Sequence, residues 1–125
     1  KYAQEYLELA GIRHRFEVPA QLPAVDIAPE VRHNVFLAFK ESVNNVVKHA
    51  QASAVSIRLR LDAGKFTLEI EDDGRGIDNA PKKTGRSGMG NLRKRMEDVG
   101  GIFAIGPAPA KKGTLVQLTA PFVKL

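Results

Sequence analysis

The stretch from residue 55 to residue 72 constrains this chain more than any other. Val55, Ile57, Leu59 and Leu61 alternate with Ser56, Arg58 and Arg60, and after Asp62-Ala63-Gly64-Lys65 the alternation resumes at Phe66, Leu68 and Ile70. A period of two, broken once by a glycine-containing turn, specifies two antiparallel strands with one buried face and one wet face. Carrying the same phase one step further lands on Asp72. A carboxylate thus occupies a core-facing position at a strand end, where an ionised group without partners is costly. Thr114, in phase with Val116 and Leu118 of a later strand, is a second polar residue on a core-facing register.

The rest of the chain supplies helices to cover that sheet. Tyr2 to Ala10 has helical spacing and stops at Gly11, and Ile12 to Val18 alternates as a strand. Pro19 to Pro29 reads as a proline-punctuated connection. From Glu30 a helix is expected to about Ala50, with Pro29 at its entrance. Val35, Phe39, Val43, Val46 and Ala50 gather on one side of it, while Glu41, Asn45, Lys48 and His49 form a separate flanking stripe. Residues 78–87 are almost free of apolar side chains and read as a loop. Asn91 to Val99 is helical up to Gly100-Gly101, followed by strands at Ile102 to Ile105 and from Thr114 onward.

At 125 residues, 43% apolar and 26% charged, the chain is expected to be one globular domain, 1–125, and its first residue, Lys1, reads as the start of a piece of something longer. The absence of cysteine excludes disulfides and thiolate zinc sites and fits a reducing compartment. No apolar run is long enough for a membrane span, so the expectation is a cytoplasmic domain without membrane contact. The net charge of +5 invites a nucleic-acid reading, but no aromatic residues are interleaved with the basic ones as a base-stacking platform requires.

Three clusters carry chemistry. Asp72, read functionally, accepts a hydrogen bond from an exocyclic amine such as adenine's, with Thr114 holding a water or a ring nitrogen beside it. The plain alternative is a solvated Asp-Gly turn. Gly74 and Gly76 would clear side chains from the path of a base or sugar. On the long helix, Asn45 is sufficient as a protein ligand for Mg2+ when phosphates and waters complete the shell. Glu41, one turn earlier, is placed to orient or deprotonate a nucleophile, and Lys48 to neutralise phosphate. Each of these alone is more simply a solvated helix face, and only their conjunction with Asp72 favours a purine nucleotide. Gly88-Met89-Gly90 precedes a helix, whose free amides favour anions, and the loop before it would act as a lid. Neither a Gly-x4-Gly-Lys-Ser/Thr loop nor a Rossmann glycine fingerprint is present.

Taken in order, these residues resemble the ATP-binding catalytic domain of sensor histidine kinases, within the superfamily that includes gyrase, Hsp90 and MutL. Glu41-x3-Asn45-x2-Lys48-His49-Ala50 is similar to the N box, Asp72-x-Gly74-x-Gly76-Ile77 to the first glycine box, Gly88-Met89-Gly90 to the second, and Gly113-Thr114 to the closing motif. The head and tail of the N box resemble the subgroup that pairs with helix-turn-helix response regulators. The resemblance implies a two-layer α/β sandwich with about three helices on one face of a mixed, mostly antiparallel sheet. It implies ATP and Mg2+ as cofactors, Glu41 as base, Asn45 as metal ligand, Lys48 and His49 near the phosphates, and Asp72 on the adenine amino group. Aligning Leu92-Arg93 with the family's usual Met-Arg or Leu-Arg instead makes Gly88 the second glycine, Met89 the usual leucine, and puts Arg86 within reach of the γ-phosphate. The implied partners are a dimerising helical domain that bears the acceptor histidine and a downstream response regulator. The isolated domain would be a monomer and the full-length protein a homodimer, with membrane anchoring of the latter open. None of His14, His33 and His49 lies in the acidic context of an acceptor, so this chain alone would not phosphorylate itself. The rival readings are a serine kinase of the anti-sigma-factor type and a basic binding module without nucleotide. A clamp ATPase would need domains that this length does not hold.

Overall fold

The computed structural model describes residues 2–18, 25–50, 53–62, 64–74, 89–108 and 113–124. In chain order the elements are α1 (Tyr2–Leu9), β1 (Arg13–Glu17), β2 (Val25–Asp26), α2 (Pro29–Asn45), a π-helical turn (Val46–Ala50), β3 (Ala54–Asp62), β4 (Lys65–Asp72), α3 (Met89–Glu97), β5 (Ile102–Pro107), β6 (Thr114–Pro121) and β7 (Val123–Lys124). The five longer strands form one open sheet in the order β1-β3-β4-β6-β5. Only β1 and β3 run parallel, and the other neighbours are antiparallel. A parallel pair needs a long crossover, and α2 lies within it. The expected mixed sheet with three helices is what forms.

The alternating hairpin pairs from Val55↔Asp72 to Asp62↔Lys65, and Gly64 at its turn adopts φ +82°, a conformation that L side chains resist. Phase then sorts the side chains. Val55, Ile57, Phe66, Ile70, Val116 and Leu118 are buried on the helix-facing side, with Leu59, Leu61 and Leu68 packed half-buried against them. Leu7 of α1, Val35, Ala38 and Val43 of α2, and Leu92 and Met96 of α3 pack into the same core, together with Ile12, Val31, Val46, Phe103 and Ala120. Truncating a fully buried residue such as Leu118 to alanine costs about 2–5 kcal/mol through lost transfer energy and the cavity left behind.

α2 has no side-chain cap at Ala28; Pro29, whose φ is fixed for helix entry, starts it instead, with Glu30 in the first turn. At Val46 the backbone stays helical, and the ladder widens into the π turn rather than running as one α-helix to Ala50. Ser42 is buried in the middle of α2 and satisfied by donating to the Ala38 carbonyl at 2.8 Å. α3 begins at Met89 and ends at Glu97, two residues earlier at each end than its apolar spacing predicts. Gly100, at φ +78°, terminates it, and the Gly101 amide returns to the Met96 carbonyl at 2.8 Å. Asn34 of α2 donates to the Arg95 carbonyl at 2.9 Å and ties the two helices together.

Two further features depart from the sequence reading. Within the proline-punctuated connection, Val25–Asp26 pairs with Val123–Lys124 as a separate two-stranded ribbon. On the sheet face expected to be wet, Glu69 is only 2% exposed. Arg58 and Arg60 from β3 and Gln117 from β6 close over it, because long side chains on neighbouring strands can cover a short one between them.

Candidate functional site

β4 ends on Asp72, opposite Val55, and the side chain takes the core-facing register that its phase dictates, leaving the residue 4% exposed. Its Oδ1 accepts the Gly74 amide at 2.8 Å, and the Thr114 amide also donates to the carboxylate. Among the described residues no basic side chain pairs with it. Burial raises its pKa above the ordinary aspartate value, the two backbone hydrogen bonds offset this only in part, and the nearby charges of Asp73 and Glu71 push in the same direction as burial. A carboxylate offers about four acceptor positions, and two amides leave capacity for a further donor.

Thr114 is buried at the start of β6, one step beyond the Glu71↔Leu115 pair, which sets it beside Asp72. Gly113 approaches the same point from the other side. Its φ is +95°, and a Cβ there would overlap the Asp72 carbonyl oxygen. Only glycine lets β6 start this close to the end of β4.

Asp73, which the sequence reading passes over, turns away from Asp72 and joins β4 to the start of β3. Its Oδ1 accepts the Ser53 amide at 2.8 Å and the Ala54 amide at 3.0 Å, and its Oδ2 accepts the Ser53 hydroxyl at 2.9 Å. Its own amide donates to the Ala54 carbonyl at 3.2 Å. Partial burial works against its charge, but the donors from Ala54 and Ser53 outweigh that and hold its pKa below the usual value. Its sequence signal is faint: an Asp at a strand end often binds nearby amides, but nothing local says that those amides lie 19 and 20 residues away.

Glu41 and Asn45 are half-buried on α2, one helical turn apart, as their spacing predicts. Lys48 is exposed and lies with His49 in the π turn, where i→i+5 geometry replaces the α-helical geometry assumed for the stripe. Met89 and Gly90 are the first two residues of α3, so Gly90 is part of a helix rather than of the loop before it. Gly76, Ile77, Arg86 and Gly88 lie outside the described residues. The structure therefore brings Asp72, Gly74 and Thr114 into one hydrogen-bonded group and sets Glu41, Asn45, Lys48 and His49 in sequence along one helix and its final turn. Of the histidines, His14 is half-buried on β1 with its ring edge on Phe16 at a 5.5 Å centroid distance, and His33 is exposed in the first turns of α2.

The open α/β sandwich is a fold shared with solved histidine kinase domains. The histidine kinase domain of a blue-light activated kinase from Erythrobacter litoralis superposes with a TM-score of 0.74 at 22% identity, covering 95% of this chain and 57% of that one. The catalytic domain of the histidine kinase ThkA gives 0.75 at 18% identity, covering 96% and 85%. In sequence, residues 4–103 match the histidine kinase-like ATPase domain. The chain belongs to that family. The histidine-protein kinase/phosphatase DegS of Brevibacillus brevis is 30% identical over 122 residues, which are 97% of this chain and 31% of DegS. UhpB of Salmonella typhimurium, also named a histidine-protein kinase/phosphatase, is 34% identical over 90 residues, 72% of this chain and 17% of UhpB. The chain thus spans less than a third of the length of these curated relatives.

Proposed function

We propose that this domain binds Mg-ATP and supplies the γ-phosphoryl group to a histidine on a separate helical domain of a two-component signalling kinase. The observation that carries this reading is Asp72, a buried carboxylate that among the described residues is held by backbone amides alone and has acceptor capacity left over. Adenine's exocyclic amine is a donor of the right kind for it. Membership of the histidine kinase-like ATPase family and the named kinase relatives support the same assignment.

Roles for the other residues follow from their chemistry. Thr114 stands beside the purine end, and Gly74 and Gly76, which lack side chains, would let the base pass close to backbone. Asn45 fits a magnesium ion that keeps most of its shell from water and phosphate, since among the described residues no cluster of three or more acidic or histidine side chains offers a denser site. The ion would supply charge neutralisation at the β- and γ-phosphates. Lys48, His49 and Arg86 would bring positive or donor groups to the phosphates, with Gly88, Met89 and Gly90 of the second glycine box beside them, while Ile77 belongs with Gly74 and Gly76 to the first. The start of α3 at Met89 favours the register in which Gly88 is the second glycine. Glu41 orients the acceptor imidazole and takes its proton as the nitrogen–phosphorus bond forms and ADP leaves. Positioning and charge stabilisation account for most of the catalysis of such a step. The partners are the acceptor domain, which in the full-length protein would also dimerise it, and a response regulator downstream.

The test is calorimetry and phosphotransfer with an added acceptor domain. Mg-ATP should bind and raise the melting temperature, because a ligand that binds only the folded state stabilises it. Glu41→Gln should retain that binding and lose transfer by about 100-fold or more, the scale of a missing general base. Absence of ATP binding would refute the assignment, and transfer to serine rather than histidine would move the chain to the anti-sigma type.

A further inference from the structure

We propose that Asp73 is a positioning residue that sets the purine end of the site in register with the phosphate end. The inference rests on the nucleotide reading of Asp72 and adds a residue to which that reading gives no role.

The geometry is a four-bond clamp. The Asp73 carboxylate gathers two amides and a hydroxyl from Ser53 and Ala54, while its own amide donates to the Ala54 carbonyl. On one side of the clamp, the next residue back along the chain is Asp72. On the other side, Ser53 lies three residues beyond Ala50, the end of the π turn that carries Lys48 and His49. The side chain of Asp73 therefore ties together two points separated by 20 residues of chain, one adjacent to the adenine carboxylate and the other just past the phosphate-side helix. Val55↔Asp72 is the last ladder pair of the hairpin, so beyond it this clamp is what continues the join between β3 and β4. A ligand that spans both ends requires their separation to be fixed in advance; a ligand that uses only the purine end does not.

That asymmetry gives the test. Dissociation constants for Mg-ATP and for adenosine are measured by competition against a fluorescent nucleotide on the parent domain, Asp73→Ala, Asp73→Asn and Leu59→Ala, each well below its melting temperature. Leu59 is a half-buried core residue outside the site, and its truncation controls for general destabilisation. In Asp73→Ala the preference for ATP over adenosine should fall by about tenfold, the scale of one lost charge-assisted hydrogen bond. Asp73→Asn should restore it to within about twofold, because the amide oxygen can accept both backbone N–H groups and the amide nitrogen can donate to the Ser53 hydroxyl. Leu59→Ala should leave the preference unchanged. Should Asp73→Ala fail to fold, Ser53→Ala removes the hydroxyl bond alone and should lower the preference by about twofold to threefold. An unchanged preference in the folded alanine variant, or an asparagine variant no better than alanine, overturns the clamp while leaving the nucleotide site intact. A parent domain that binds no ATP overturns both.

Discussion

Strand β4 carries two buried carboxylates three residues apart, and they differ in nearly everything except burial. Glu69, on the face away from the helices, accepts from Arg58 at 2.9 Å, Arg60 at 3.1 Å and Gln117 at 2.8 Å. Burial alone would raise its pKa, but those donors outweigh it and bring the value below that of an ordinary glutamate. Asp72, on the helix side at the strand's end, has among the described residues only the Gly74 and Thr114 amides, and its pKa is raised. The fold finishes the solvation of one acid with its own cations and leaves the other under-solvated. A buried charge that protein donors complete is architecture; one left short of donors marks a place for a ligand.

The strongest challenge to this contrast is Asp72→Asn. Mg-ATP affinity should fall by at least about tenfold, in line with the roughly 1.5–3 kcal/mol typical of a hydrogen bond to a charged group, as read by calorimetry. The same variant without nucleotide should melt no lower than the parent at neutral pH, and the sign follows from linkage. A carboxylate whose pKa is raised by folding favours the folded state fully only below its unfolded pKa, and that contribution is lost as pH rises through the folded value. Removing the charge therefore helps at about pH 7, and the advantage over the parent should shrink towards about pH 4.

Glu69→Ala should do the reverse. It leaves Arg58, which still has Glu71 at 2.8 Å, and half-buried Gln117 without their shared acceptor, and should cost about 1–3 kcal/mol in denaturant titrations while ATP affinity stays within about twofold. Because its pKa is lowered by folding, the stability that Glu69 contributes is present above the unfolded carboxylate value and lost as pH falls through the folded one, so this deficit too should narrow on acidification. The smallest effect belongs to Thr119→Val, which breaks the 3.0 Å hydroxyl pair with Thr67 on the same outer face and should cost about 0.2–1 kcal/mol with no change in binding. A nucleotide effect from either outer-face variant would mean that the two faces of β4 are not separate in function.

What the sequence made legible was local and periodic. The hairpin, the inward register of Asp72 and Thr114, and the helix carrying Glu41 and Asn45 all follow from phase, which the structure preserves. Pairing across distance was not legible. Glu69 read as solvated because its covering residues sit on two other strands, one of them 48 positions along the chain. The ribbon of Val25–Asp26 with Val123–Lys124 is too short for any alternation to announce it. The π turn carries no composition signal, since Val46 to Ala50 continue a pattern that an α-helix would also satisfy. Asp73 drew no reading from its local sequence, and its contacts with Ser53 and Ala54 are what give it a task of its own.

Gly113 extends the lesson to heredity. Its backbone angle and its approach to the Asp72 carbonyl leave no space for even a methyl group. Substitution there would force β6 away from the strand end and withdraw the Thr114 amide from the carboxylate. In a population of drifting sequences, this position should therefore be as unforgiving as the acid itself, although it contributes no side chain to the chemistry.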